Sequence, residues 1–218
     1  EKLGGVPRYV IPAFRISDEA LDKDVALMER LGVEVKCGAP APSVAELKKM
    51  GYTHILLATG AWQAGELGIP GNVRGVIAWM KEMKQQVKPC LEGHVVVVGA
   101  GNTAMDAARV AKRMGAASST IVYRRTKKEM PADEHELKLA IDEGVNLVEL
   151  AAPVEQKDGK LICNQMKLGE PDASGRRSPV ATGETFEIPC DLVLSAVGEQ
   201  VDSDLMAANG IEMERKGP

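Results

Sequence analysis

The chemistry legible in this chain begins at Gly99-Ala100-Gly101-Asn102-Thr103-Ala104, a G-x-G-x-x-A string directly behind the consecutive valines Val95 to Val98. Each small residue has a physical reason at that spacing. Gly99 permits a tight turn after a strand, Gly101 lets the main chain approach a diphosphate, and Ala104 keeps the following helix close to the sheet. The helix N-terminus then offers unpaired N–H groups and partial positive charge to phosphate oxygens. Alone the string is weak. Its setting between a buried strand and a helix points to a dinucleotide rather than to a merely tight turn.

The next strand decides which dinucleotide. An NAD site carries Asp or Glu at that strand's end to accept from the ribose 2′-OH, whereas here Ile121-Val122-Tyr123 runs straight into Arg124-Arg125. Guanidinium groups suit a 2′-phosphate, and charge-assisted bonds of this kind are each worth about 1.5–3 kcal/mol. The expected ligand is therefore NADPH, with a solvated basic turn as the alternative. Tyr123 and Lys127 have the Tyr-x-x-x-Lys spacing of short-chain dehydrogenases, but they straddle a strand end in the cofactor-reading turn. His54, His94 and His135 lack ligand spacing, so no metal site is expected, and His135 sits among the acids Asp133, Glu134 and Glu136 of a wet helix face. No G-x-S-x-G string or Cys/His pairing supports nucleophilic catalysis, and no catalytic acid or base is expected.

Those residues need a scaffold of alternating strands and helices. Val95–Val98, a helix over Asn102–Met114 and a strand over Thr120–Tyr123 make one βαβ unit with a right-handed crossover. A charged helix over Ala132–Glu143 and a strand over Asn146–Leu150 continue the alternation. Val154–Glu170 then reads as a hairpin turned at Asp158-Gly159, Asp172–Gly183 as a polar loop, and Asp191–Ala196 as the last strand before Val197-Gly198. Upstream, Ser17 caps a helix whose Leu21, Val25, Met28 and Leu31 share a face, with Gly32 as its stop. Val33–Lys36 reads as a strand, Ser43–Met50 as a short helix and His54–Ala58 as a buried strand. Ala61–Gly75 is expected to be a crossing linker, followed by a helix over Val76–Val87.

Composition narrows the class. A chain of 218 residues with few aromatics builds its core from Val, Leu, Ile, Ala and Met, as in parallel sheets covered by helices. A net charge of −4 gives no long-range attraction to nucleic acid or anionic membrane, and the one basic cluster, Arg124, Arg125, Lys127 and Lys128, suits a small anion. No apolar run approaches a membrane span and no signal-peptide pattern opens the chain, so the expected location is cytoplasmic. Cys37, Cys90, Cys163 and Cys190 lie far apart and read as free thiols. Opening on Glu1 and stopping at Pro218, the chain reads as a segment of a longer protein, inactive by itself.

With these residues in view, the sequence resembles the NADPH-dependent FAD/iron-sulfur oxidoreductases that include glutamate synthase small subunits and dihydropyrimidine dehydrogenase. The resemblance rests on Gly4-Gly5-Val6, Ile11 to Arg15, Ala58 to Ala61, Val97 to Asp106, Tyr123-Arg124-Arg125, Glu129 to Ala132 and Asp191 to Gly198. Leu168 to Arg177 and Ala196 to Gln200 point to the branch of bacterial selenate reductase iron-sulfur flavoprotein subunits. It implies an α/β, two-dinucleotide-binding-domain flavoprotein, with a Rossmann-like NADPH domain of parallel sheet and β-meander at 91–198. A partial FAD-domain segment and a linker occupy 1–90, and 199–218 start the return to the FAD domain. Gly101 to Ala104 are implied to hold the NADPH diphosphate, Arg124, Arg125 and Lys128 its adenosine end, and Ala196, Val197 and Gly198 to border the nicotinamide. Val6, Arg15 and Ala41 are implied to touch FAD. The remaining FAD domain and the iron-sulfur or catalytic subunits are the implied partners, because the first FAD-binding G-x-G-x-x-G, the cluster cysteines and a later Gly-Asp flavin motif are absent from this sequence. Hydride transfer from NADPH to FAD and on to iron-sulfur clusters is the implied activity of the whole protein. A nucleotide sensor or scaffold without redox activity is the second reading; a stand-alone dehydrogenase ranks last, for want of a proton donor.

Overall fold

The computed structural model describes residues 2–213. Residue 1 and residues 214–218, which fall in the expected first and last segments, lie outside the described residues. In chain order the elements begin with α1 (Gly5–Tyr9), α2 (Asp18–Arg30), α3 (Val44–Lys49), β1 (Gln63–Ala64), β2 (Val73–Gly75), α4 (Val76–Lys84), β3 (His94–Val98), α5 (Asn102–Arg113) and β4 (Ser118–Val122). A 3-10 turn (Lys127–Glu129) and then α6 (Glu134–Asp142), β5 (Asn146–Val148), β6 (Ala151–Lys157), β7 (Lys160–Pro171), β8 (Arg177–Pro189), β9 (Leu192–Ser195), β10 (Glu199–Gln200) and α7 (Ser203–Ala208) complete them. The chain divides into two compact units, Glu1–Gln63 with Glu199–Pro218, and Ala64–Gly198. Residues 64–90, read from sequence as part of the FAD-domain segment and linker, lie in the second unit. β2 pairs with β9 there, and the α4 residues Val76, Ile77, Trp79, Met80 and Met83 are buried.

In the second unit, five parallel strands run in the order β2-β9-β3-β4-β5. The sheet grows outward from β3 through β4 to β5, and the chain then returns to place β9 on the opposite side of β3. Both edges of β3 are paired, to β4 through Val98↔Val122 and to β9 through Val98↔Ser195. That explains a strand of nothing but valine behind His94: it is buried on both faces and both edges. Strand alternation sends Val96 and Val98 to one face, where they join Val122, Val193, Ala151, Leu161, Cys163, Ile188 and Cys190 in one core. Ala151 to Cys190 come from or adjoin the antiparallel β6-β7-β8 meander, so a second sheet covers this face. On α5, Ala104, Ala107, Ala108 and Ala111 are all fully buried, and only such small side chains let a helix lie this close to its sheet.

The meander's first turn follows the sequence pattern, since Asp158 and Gly159 both have positive φ, 51° and 74°, as a two-residue type I′ hairpin requires. The expected loop at Asp172–Gly183 is instead mostly strand. Only residues 172–176 turn, held by Asp172, whose carboxylate accepts from the Ser174 amide and hydroxyl and the Arg176 amide. Beyond Met166, β7 pairs only with β8, and this two-stranded ribbon meets water on both faces, so polar residues there do not signal a loop. The Ala61–Gly75 linker likewise contains two strands, β1 and β2, too short to show a pattern.

In the first unit Ser17 and Ser43 cap α2 and α3 as expected, Ser43 through a full capping box with Glu46. The tail returns to this unit, where Asn209 Oδ1 accepts the Val44 amide at 2.8 Å. Val33–Lys36 and His54–Ala58 are not strands. Neither meets a hydrogen-bonding neighbour strand among the described residues, and without one an apolar run has no ladder to join; Leu56 is 89% exposed. On α2, Leu21 is buried, but Met28 and Leu31 of the expected apolar face are 50% and 76% exposed.

One ion network fastens α5 to α6. The Glu143 carboxylate accepts from Arg113 Nη2 at 2.8 Å and from Arg109 Nη2 at 2.6 Å, with Arg109 almost wholly buried. Arg113, then Arg109, hold the Glu143 carboxyl down at about 2 against an ordinary 4.5. Removing the carboxylate takes the two shortest charged contacts from a buried guanidinium and its neighbour, so Glu143→Gln is expected to cost about 2–3 kcal/mol in urea unfolding at neutral pH. Because the folded value is depressed, the stabilisation is complete above about 4.5 and is lost as pH falls towards about 2. Wild type and variant should therefore converge across that window, and parallel acid limbs would refute the assignment.

Candidate nucleotide-binding site

The strand order reverses between β3 and β9, and in open α/β sheets ligands bind beyond the C-terminal ends of strands at such a reversal. Gly99 to Ala104 follow β3 and Ala196 to Gly198 follow β9, so the fold brings together two stretches about a hundred residues apart. Gly99 has a φ of 147°, and a Cβ there would lie 2.2 Å from the Ala196 carbonyl oxygen. The Ala196 amide in turn donates to the Val98 carbonyl at 2.9 Å. Gly99 is thus glycine because two backbones meet at this corner.

Gly101 differs. Its φ of −89° is open to any residue, and a Cβ built on it meets no atom within 4 Å. Nothing in the protein's own packing accounts for glycine there, and the space beside it is open. It is the N-cap of α5, with no side-chain cap. The Ala104 and Met105 amides donate back to the Gly101 carbonyl at 3.0 and 3.2 Å. Among the described residues the Gly101, Asn102 and Thr103 amides have no such acceptor. A turn of free N–H groups, open space and a helix N-terminus make an anion cradle. Asn102 is exposed, Thr103 half-buried and Ala104 fully buried against the sheet.

At the end of β4 the two arginines separate. Arg124 is exposed and forms no ion pair among the described residues. Arg125 is half-buried, its guanidinium carbon 5.7 Å from the Tyr123 ring centroid, and its buried Nε has no hydrogen-bond partner among the described residues. The turn carrying them is stiff. The Leu150 amide donates to the Arg125 carbonyl at 3.1 Å, and the Tyr123 hydroxyl to the Glu129 carbonyl at 2.8 Å. Thr126 and Glu129 form a capping box, with the Thr126 hydroxyl donating to Glu129 Oε2 at 2.6 Å. That hydroxyl, ahead of the Thr126 amide and the Arg125 charge, holds the Glu129 carboxyl below the ordinary carboxylate range. Glu149 accepts the Lys127 amide, and Lys128 stands exposed on the 3-10 turn. Sequence reasoning gave neither glutamate a role in holding the turn, although Thr126-x-x-Glu129 is a legible capping signal.

Ala196 is half-buried, Val197 is 49% exposed and Gly198 has a φ of 124°. Gly65 is buried beneath them, its amide donating to the Gly198 carbonyl at 2.7 Å and its carbonyl accepting from Ser195 Oγ at 2.5 Å. In the first unit Val6 lies on α1, its carbonyl accepting the Val10 and Ile11 amides. The Arg15 guanidinium carbon is 5.8 Å from the Phe14 ring centroid, and Ala41 is exposed ahead of α3. All four cysteines are free thiols; burial pushes Cys163 up to about 11 and Cys190 to about 12. No helix among the described residues is long and apolar enough to cross a membrane.

The sequence profile of the pyridine nucleotide-disulphide oxidoreductases matches residues 18–218. The chain is 39% identical over 220 residues to YgfK of Escherichia coli K12, covering 98% of this chain and 21% of that one. It is 36% identical over 232 residues to the NADPH-Fe(3+) oxidoreductase subunit beta of Geobacter sulfurreducens, covering 97% of this chain and 34% of the other. Glutamate synthase small chains are also relatives, in line with the motif resemblance. The chain thus spans about a fifth to a third of the first two proteins. FprA of Mycobacterium tuberculosis, solved in complex with NADPH, superposes with a TM-score of 0.77 at 19% identity, over 97% of this chain and 64% of that one, which shows a shared fold.

The two glycines should respond oppositely to alanine. Gly99→Ala is expected to cost at least about 2 kcal/mol, whereas Gly101→Ala should change stability by less than about 1 kcal/mol. Thermal unfolding of both variants checks this, and equal losses would mean Gly101 is also required by the fold.

Proposed function

Because the chain belongs to the pyridine nucleotide-disulphide oxidoreductase family, we propose that it is the NADPH-binding, electron-input module of a flavoprotein oxidoreductase. The carrying observation is Gly101, a glycine that neither φ nor packing explains, opening onto free amides where the strand order reverses. A diphosphate is the anion that such a cradle admits through close backbone approach. Gly101, Asn102 and Thr103 hold it by main-chain N–H, with Ala104 keeping α5 in place. Arg124 and Lys128, exposed on the stiffened turn after β4, take the 2′-phosphate. Arg125 lends charge and a face against Tyr123 at the adenosine end. Ala196 to Gly198 border the nicotinamide, and in the longer protein Val6, Arg15 and Ala41 contribute to FAD binding.

A nicotinamide bound here would supply the hydride for reducing a flavin, and in the longer protein iron-sulfur clusters would take the electrons onward. The residues here bind, orient and exclude water; none has to move a proton. The relatives named for NADPH-Fe(3+) oxidoreductase and glutamate synthase support this reading. The second reading, a nucleotide sensor or scaffold, predicts the same binding without redox turnover.

Titrating the chain with NADPH and NADH tests the site. Arg124→Ala is expected to weaken NADPH by roughly ten- to a hundredfold while leaving NADH little changed; Gly101→Ala should weaken both. Equal losses on Arg124→Ala would remove the 2′-phosphate assignment. In the full-length protein, flavin that stays oxidised under excess NADPH would favour the sensor.

A further inference from the structure

Ala132 carries no side-chain chemistry, yet its main chain reaches the cradle. Its N–H donates to the Ala100 carbonyl at 3.0 Å, and the Asp133 amide donates to Asn102 Oδ1 at 3.3 Å. The segment leading into α6 is thereby bonded to the turn between β3 and α5. In a trans peptide the carbonyl and the following N–H point in opposite directions, and no peptide bond among the described residues is cis. Holding the Ala100 oxygen towards Ala132 therefore aims the Gly101 N–H the other way, where it has no partner among the described residues.

That constraint answers a weakness of the turn. Rotating the peptide between residues 100 and 101 changes ψ of Ala100 and φ of Gly101, and glycine tolerates both signs of φ. The residue that lets a diphosphate come close also leaves its own N–H free to swing away, presenting a carbonyl oxygen to an anion. We propose that Ala132 is a positioning residue for the nucleotide diphosphate, its amide locking the Ala100-Gly101 peptide with the N–H turned outward. The inference rests on the nucleotide reading above. Its anchor is the network already described, since Arg109 on α5 reaches Glu143 at 2.6 Å and Glu136 at 3.9 Å, holding α6 and the segment ahead of it against α5.

The test compares wild type with Ala132→Pro, which removes the donor, and Ala132→Gly, which keeps it. Ala132→Pro is expected to weaken NADPH and NADH by the same factor, about tenfold, with Ala132→Gly close to wild type. In ³¹P spectra of bound NADP+, the diphosphate resonances should shift in Ala132→Pro while the 2′-phosphate resonance stays. Should Ala132→Pro not fold, amide exchange of wild type decides: the Ala132 N–H is expected to be protected without ligand, and the Gly101 N–H only with NADPH. Unchanged affinity of Ala132→Pro, a loss confined to NADPH, or an Ala132 amide exchanging as fast as an exposed one overturns the proposal. Wild type binding neither nucleotide overturns the reading of the site itself, and this proposal with it.

Discussion

The second unit depends on a single close approach, the Gly99 main chain against the Ala196 carbonyl at the point where β3 and β9 part. A Cβ at position 99 would stand 2.2 Å from that oxygen, so the two strand ends come together only because no side chain intervenes. This approach permits the abrupt turn that starts α5 at once and the juxtaposition of Ala196 to Gly198 with the glycine-rich string where the strand order reverses. A substitution that spread the two strands would open the corner and displace the first turn of α5.

Two glycines two residues apart thus answer to different masters. Gly99 serves the backbone geometry, with its positive φ and its neighbour across the sheet; Gly101 has an ordinary φ and an empty flank. Gly101 opens α5 as its N-cap, a place where glycine is well tolerated, and its open flank leaves room for close approach from outside the protein. A similar contrast separates Arg124, exposed and without an ion pair among the described residues, from Arg125, tucked against Tyr123 with a buried, unpartnered Nε. Adjacent residues of one type occupy different electrostatic surroundings because the turn is pinned on one side by Leu150 and on the other by the Thr126–Glu129 box.

Support for the cradle also comes from contacts remote from its free amides. The Arg109–Glu143–Arg113 network joins α5 to α6 through an almost wholly buried guanidinium, an arrangement that the loss of its carboxylate weakens. The meander covers the opposite face of the sheet with Leu161, Cys163, Ile188 and Cys190. With the sheet braced on both faces, the free amides at its C-terminal end hold one direction.

Local sequence by itself determined the parts governed by local energetics. The unbroken β-branched run Val95 to Val98 marked a strand buried on both faces, and the G-x-G-x-x-A turn, the helix behind it, the Asp158-Gly159 hairpin and the Ser17 and Ser43 caps were legible because chain neighbours settle their conformations. Tertiary structure decided whatever required a distant partner. Val33–Lys36 and His54–Ala58 have strand composition but find no ladder, whereas Val73–Gly75 and Arg177–Gly183 lack a strand signature and become strands because β9 and β7 lie alongside. The unequal surroundings of Arg124 and Arg125, the grip of Glu143, and the Ala132 amide on the Ala100 carbonyl belong to the same class. Hydrogen bonds and burial between residues remote in sequence leave no periodic trace in it, since each depends on where the other end of the chain has come to rest.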